Sequence, residues 1–250
     1  MLWTIDGRKL KNFFLIAVAA FMAALILFIQ KQDTDVFVPI KEKGAVAKIE
    51  TSHKQIALTF DSNWGDRQIR LILKTLKAER VQATFFFSGE WAERHPDLIR
   101  RVLKDGHEVE SHGMRHESYT QLDQSQIRRD LLFSTEAIYK AGGKRPQMFR
   151  PPYGHINDET LKVADGLRLQ PVLWSVNPMD ETNPGYTTIV RRVLKNTGKG
   201  DIIHLHASDS AKQTYRALPL IIRELENRGY QFETLESLLS NGQSKHQLLD

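Results

Sequence analysis

The stretch QIALTFDSNWGDRQIRLILKTLKAERVQATFFFSGE, residues 55–90, decides the fold. Gln55 to Asp61 is a β-rich apolar run that ends on a carboxylate. Ile69, Ile72, Leu73 and Leu76 then recur at helical spacing, and Ala83 to Gly89 is a second apolar run rich in phenylalanine. Strand, helix and strand in that order make a parallel pair with a crossover. Further candidate strands follow at His107–Gly113, Met148–Pro152, Leu169–Val176, Asp201–Ala207 and Tyr230–Leu235. Between them, Leu98, Ile99, Val102 and Leu103 mark a helix that Pro96 opens and Gly106 stops. Ile127, Leu131 and Ile138 mark another, ending near Gly142-Gly143. Leu218, Ile221, Ile222 and Leu225 mark a third before Gly229, with Pro219 at its start or kinking it. The alternation predicts an α/β protein with a parallel sheet, open or closed into a barrel, and periodicity does not choose between the two.

Upstream, Arg8, Lys9 and Lys11 precede an uncharged apolar run from Phe13 to Ile29. At about 1.5 Å per residue such a run is long enough to cross a bilayer as one helix. Positive charge before it predicts a cytoplasmic N-terminus and an external body. Leu25-Ile26-Leu27-Phe28-Ile29 lacks the small residues that signal cleavage requires, which favours an uncleaved anchor over a signal peptide. The expected organisation is a cytoplasmic stub and membrane helix over 1–30, an extracellular tether over 31–52, a folded domain over 53–240 and a frayed tail over 241–250. The expected location is the cell membrane, single-pass, with the domain outside.

The chain has 250 residues, 41% of them apolar and 26% charged, enough for one full core. Its net charge is +5, but the basic residues are scattered among acids and form no run with interleaved aromatics. That pattern suits an anionic wall or headgroup layer and argues against nucleic acid as a partner. With no cysteine, disulfides, zinc thiolates and thiol nucleophiles are excluded.

Ligand sites of parallel α/β proteins lie at the carboxyl ends of the strands. Here those ends carry Asp61, Ser111-His112, Arg150-Pro151-Pro152, Asn177 with Asp180, and His204 with His206. His112 and His116, four apart, would share one side of a helical turn and suit a metal bound through two nitrogens, or they are surface histidines. Asp61 is a candidate general base, with helix capping as its plain alternative, although Asp66 is better placed for that job. Arg150 is either a structural ion pair or the group that keeps Asp61 ionised. His206 could protonate a leaving amine or be a satisfied core histidine. His204, two residues earlier on the strand, faces the same way, and spacing does not separate the two.

In order along the chain, TFDSNWGD (59–66), SHGMRH (111–116), RPPYG (150–154), WSVNPMDE (174–181) and HLHAS (204–208) resemble the five signature motifs of the polysaccharide deacetylase (NodB homology, carbohydrate esterase 4) family. The likeness covers about Gln55 to Leu239, and TFDSNWGD, SGEWAERHP and HASDSAKQT look like its sporulation-associated, membrane-anchored branch. The resemblance implies a distorted (β/α) barrel and hydrolysis of an N-acetyl amide on amino sugars of cell-wall or spore peptidoglycan. It implies a divalent metal ion, zinc with cobalt or manganese as alternatives, on His112 and His116. It further implies Asp61 as base, Arg150 orienting it, His206 as acid and Asp180 tuning the acid. Tyr153, through its backbone amide, and Trp174 would meet substrate. Three departures stand out: Ser62 where the family has a metal-binding aspartate, Asn177 for another aspartate, and Glu181 for a tryptophan. They admit a second reading, a degenerate deacetylase fold that binds wall glycan without turnover. A third is a glycoside hydrolase using Asp61 and Asp180.

Overall fold

The computed structural model describes residues 44–247 and, apart from these, Phe21. The candidate anchor over 13–29, the stub before it and most of the tether lie outside the described residues. Among the described residues no helix is long and apolar enough to cross a membrane.

Strand β2 (Gln55–Ser62) is the centre of the sheet, and its alternation sets the architecture. Ile56, Leu58 and Phe60 face outward into a core shared with Ile69, Ile72, Leu73 and Leu76 of helix α1 (Arg67–Glu79). Ala57 belongs to a separate inner core with Phe86, Met148, Val172 and Ile202. Successive side chains of a strand point to opposite faces, so Thr59 and Asp61 share the inner face with Ala57. Beyond β2 come β3 (Thr84–Phe87), α2 (Gly89–Arg94), α3 (Pro96–Lys104), β4 (Glu108–Ser111) and α4 (Gln124–Gly142). They are followed by β5 (Met148–Phe149), α5 (Asp158–Leu167), β6 (Gln170–Pro171), α6 (Tyr186–Asn196), β7 (Ile202–His206), α7 (Thr214–Asn227) and β8 (Gln231–Glu233). The sheet runs β6-β5-β4-β3-β2-β7, with β8 on the first residues of β2, and every pairing is parallel.

The two ends of this order meet. Val176, past β6, bridges Ile203 of β7, and the His204 amide donates to the Val176 carbonyl at 2.9 Å. The sheet therefore closes into a distorted barrel. The remaining gap is spanned by a strand that the sequence pattern does not announce, β1 (Ala45–Glu50), which bridges Val172 on one side and Asp201 on the other. It pairs antiparallel with β9 (Gln243–Gln247), which follows helix α8 (Leu235–Asn241). Both strands fall in stretches read as tether and tail. Their extended form is stabilised by partners far away in sequence, which local composition does not reveal.

The β1 contact also explains a glycine. Gly200 has φ +71°, and its amide and carbonyl bond to Gln55 O (2.7 Å) and Ile49 N (2.9 Å). A β-carbon there would lie 1.6 Å from the Ile49 carbonyl oxygen. Only glycine tolerates both the dihedral and the approach.

Candidate active site

The inner face of the barrel collects polar side chains at its C-terminal mouth. Asp61 ends β2, His112 follows β4, Arg150 follows β5, and His204 and His206 end β7, in the register Thr59 with His204 and Asp61 with His206. Parallel strands bring all of their carboxyl ends to one rim, which is why residues so far apart in sequence converge.

Asp61 is buried and fully engaged. Its Oδ1 accepts from Arg150 Nη1 at 2.8 Å, and its Oδ2 lies 2.8 Å from His204 Nε2 and 3.5 Å from His112 Nε2. Burial pushes the carboxyl up, but Arg150, His112 and His204 outweigh it and hold Asp61 well below the usual carboxylate range. Asp61 is thus ionised. Arg150 has no exposed surface; its Nη2 donates to the Leu173 carbonyl at 3.0 Å, and the guanidinium lies 4.2 Å from the ring centre of Phe86. Capping does not explain Asp61. The first turn of α1 is instead capped by Asp209, whose Oδ1 accepts from the Gln68 amide at 2.8 Å, while Asp66 makes no cap bond and pairs with Arg70 at the surface.

His206 has the opposite protonation. Its Nδ1 donates to Asp180 Oδ1 at 2.9 Å, and its amide and the Thr214 hydroxyl both donate to Asp180 Oδ2. Burial depresses the imidazole, but the bond to Asp180 and the charges of Asp180, Asp61 and Glu181 raise it to about 9. Burial likewise opposes ionisation of Asp180, and the bonds from His206 and Thr214 overcome it and lower its pKa. The mouth therefore holds an ionised carboxylate and a protonated imidazole, the states that a general base and a general acid require.

His112 and His116 do come together, but not on a helical turn. His112 leaves β4 and Gly113, at φ +74°, swings the chain into a loop. Asp130 of α4 holds that loop by accepting from the Met114 amide and the Tyr119 hydroxyl, each at 2.8 Å. His116 sits at φ +58°, its ring edge-on to His112 with centroids 4.7 Å apart. His112 Nδ1 bonds the Arg150 carbonyl at 2.8 Å, so Nδ1 carries the hydrogen and Nε2 keeps a lone pair. Burial lowers the pKa of His112, and burial together with His112 lowers His116 to about 4; both imidazoles are neutral, as metal ligation requires.

Among the described residues no three-residue group of metal-ligating side chains contains both His112 and His116, although Asp61 Oδ2 lies 3.5 Å from His112 Nε2. The three-residue groups that do form among the described residues are Asp61-His204-His206 and Asp180-Glu181-His206; Asp61, Asp180 and both histidines are engaged in the hydrogen bonds above, while Glu181 Oε2 has no hydrogen-bond partner. Ser62 Oγ is buried without a hydrogen-bond partner, next to Asp61 on β2. The two neutral imidazoles suit a divalent cation, and Ser62, where the family resemblance implies a metal-binding aspartate, offers a neutral hydroxyl instead of a carboxylate.

The other expected residues divide. Tyr153 is 61% exposed at φ +61°, with its ring 4.7 Å from that of His116, on the rim where a ligand would pass. Trp174 is half-buried, and its ring stacks on His204 at 3.9 Å. Asn177 is exposed and turns the chain, its Oδ1 accepting from the Met179 amide at 2.8 Å. Glu181 lies 3.7 Å from His206 Nδ1, adding charge where the family resemblance implies a tryptophan. His204 is the site residue to which the sequence assigned no role. The doubled histidine of HLHAS was its only trace.

A sequence profile of polysaccharide deacetylases matches residues 48–172. A peptidoglycan-N-acetylglucosamine deacetylase of Bacillus cereus is 37% identical over 195 residues, covering 77% of this chain and 91% of that protein. This chain belongs to the polysaccharide deacetylase family. A peptidoglycan-N-acetylmuramic acid deacetylase of Bacillus subtilis is 34% identical over 190 residues, or 76% of this chain and 40% of the other. Among solved structures, a CE4 family pseudoenzyme from Bacillus anthracis superposes with a TM-score of 0.76 at 27% identity, over 81% of this chain and 71% of that one.

Proposed function

We propose that this protein removes N-acetyl groups from amino sugars of cell-wall peptidoglycan, N-acetylglucosamine or N-acetylmuramic acid, with the help of a divalent cation. One observation carries the reading: Asp61 is kept ionised by Arg150 while His206 is kept protonated by Asp180, in one buried mouth. A glycan-binding module has no need of an acid and a base poised in opposite states.

In this scheme His112 and His116 hold the cation, zinc or alternatively cobalt or manganese, which when bound polarises water and the acetyl carbonyl. Asp61 takes the proton of the attacking water, and Arg150 keeps its carboxylate aimed. The Tyr153 amide, on the exposed rim, donates to the oxygen of the acetyl group as charge develops there. His206 gives its proton to the departing nitrogen, and Asp180 holds the imidazolium until then. The products are acetate and a free amine. We further place the protein at the cell surface, tethered through residues 13–29, and in spore-wall metabolism; the apolar run after Arg8, Lys9 and Lys11 and the motif likeness support this.

Ser62 favours a second reading, a wall-binding fold without turnover. Its neutral hydroxyl binds a cation less tightly than a carboxylate, and a pseudoenzyme is among the similar structures. Acetate release from N-acetylated peptidoglycan, with and without added zinc, cobalt or manganese, separates the two. Cation-dependent acetate supports deacetylation, and glycan binding without acetate supports the second reading.

A further inference from the structure

We propose that His204 is a positioning residue for Asp61, a second clamp that fixes the base from the strand opposite Arg150. The role rests on the deacetylase reading above and adds to it a residue outside the acid-base pair. Period-two alternation turns both His204 and His206 of β7 into the barrel, and each finds a different carboxylate. His206 takes Asp180, while His204 Nε2 sits 2.8 Å from Asp61 Oδ2. An ionised carboxylate only accepts hydrogen bonds, so the His204 tautomer is fixed with its hydrogen on Nε2.

The ring is held as firmly as the bond. His204 is buried, and its plane lies 19° from that of Trp174 at a centroid distance of 3.9 Å. Trp174 is packed in turn against Gly154, where a β-carbon would come within 2.8 Å of the indole. Arg150, also under Trp174 at 5.5 Å, holds Oδ1. Two donors on two oxygens leave the Asp61 side chain one orientation. Fixing a reacting group in advance removes an orientational cost from the chemical step. A base so held does not depend on a neighbouring acidic residue at position 62 for its placement.

Trp174 is thereby the support of a catalytic constellation. His204 acts through Asp61, so its loss should slow turnover and leave substrate binding alone. The test uses the full-length chain and two variants, His204→Leu, which removes the donor, and His204→Gln, which restores one. With cation and N-acetylated peptidoglycan present, His204→Leu should lower kcat about 10–100-fold at unchanged KM, and His204→Gln should recover most of it. Wild-type kcat in His204→Leu overturns the role, as does an equal loss in both variants. Nitrogen-15 NMR of the same chain reads the clamp without turnover. The His204 Nε2–H proton should appear downfield and move in Asp61→Asn; a hydrogen found on Nδ1 instead overturns the proposal. A wild-type chain that shows the clamp but releases no acetate refutes deacetylation, and with it a catalytic use of the clamp.

Discussion

Raising the pH from 6 to 10 should strip this fold of the contribution of one residue, His206. Its imidazole is raised from 6.5 to about 9 by the bond to Asp180 and the charges around it, against the opposing effect of burial. Below 6.5 the folded and unfolded chains both carry the proton, and the pair stabilises the fold in full. Between 6.5 and about 9 the unfolded chain releases its proton first, so the folded chain binds more protons and stability falls as pH rises. Above about 9 the contribution is gone. At 1.36 kcal/mol per pH unit, that interval is worth about 3 kcal/mol. The side chain is only 21% exposed, so solvent screens little of it. Urea unfolding of the wild type and His206→Gln at several pH values isolates the effect from lysine and tyrosine titration. The stability difference between them should shrink by about 3 kcal/mol from pH 6 to pH 10. A difference that stays flat, or grows with pH, would refute the Asp180-His206 charge pair and the role of His206 as a proton-bearing acid.

Activity should follow the same proton: acetate release measured against pH should decline on the alkaline side near 9, and an alkaline limb near 6.5 would mean a neutral His206. Ser62→Asp should tighten cation binding at least about tenfold in a calorimetric titration, because it gives the His112-His116 pair a charged third donor; unchanged affinity would place the cation elsewhere. Arg150→Met leaves the buried carboxylate of Asp61 with less compensation and should lower stability by about 3–5 kcal/mol in chemical unfolding, far more than a surface pair would. Gly200→Ala should cost about 1–3 kcal/mol from backbone strain alone, before its clash with the Ile49 carbonyl is counted, and a melting temperature equal to wild type would show that β1 does not lie where the structure places it.

Much of this site was legible in the sequence because it is built on strand ends. Asp61, Arg150 and His206 follow apolar runs whose parallel pairing could be read from the strand-helix alternation, and such ends must share a rim. What the sequence hid depends on tertiary geometry. His204 and His206 lie on one face of one strand, so only the positions of Asp61 and Asp180 tell them apart. The four-residue spacing of His112 and His116 suggested a helical turn, whereas Gly113 and the carboxylate of Asp130 build a loop that brings the rings together. Asp209, which caps α1 from the far side of the chain, carries no local signal. The same is true of β1 and β9, short strands whose composition is that of a tether and a tail until their partners are in place.

Acetate release from N-acetylated peptidoglycan by the wild type and by Asp61→Asn, with divalent cation supplied and then chelated, decides whether the protein is a deacetylase that uses Asp61 as its base. Asparagine keeps an acceptor for Arg150 and so should keep the fold, but it cannot take the proton of water. Cation-dependent acetate from the wild type, abolished in a folded Asp61→Asn variant, is the expected result; full activity in the variant, or no acetate from the wild type with any of the three cations, would contradict the account.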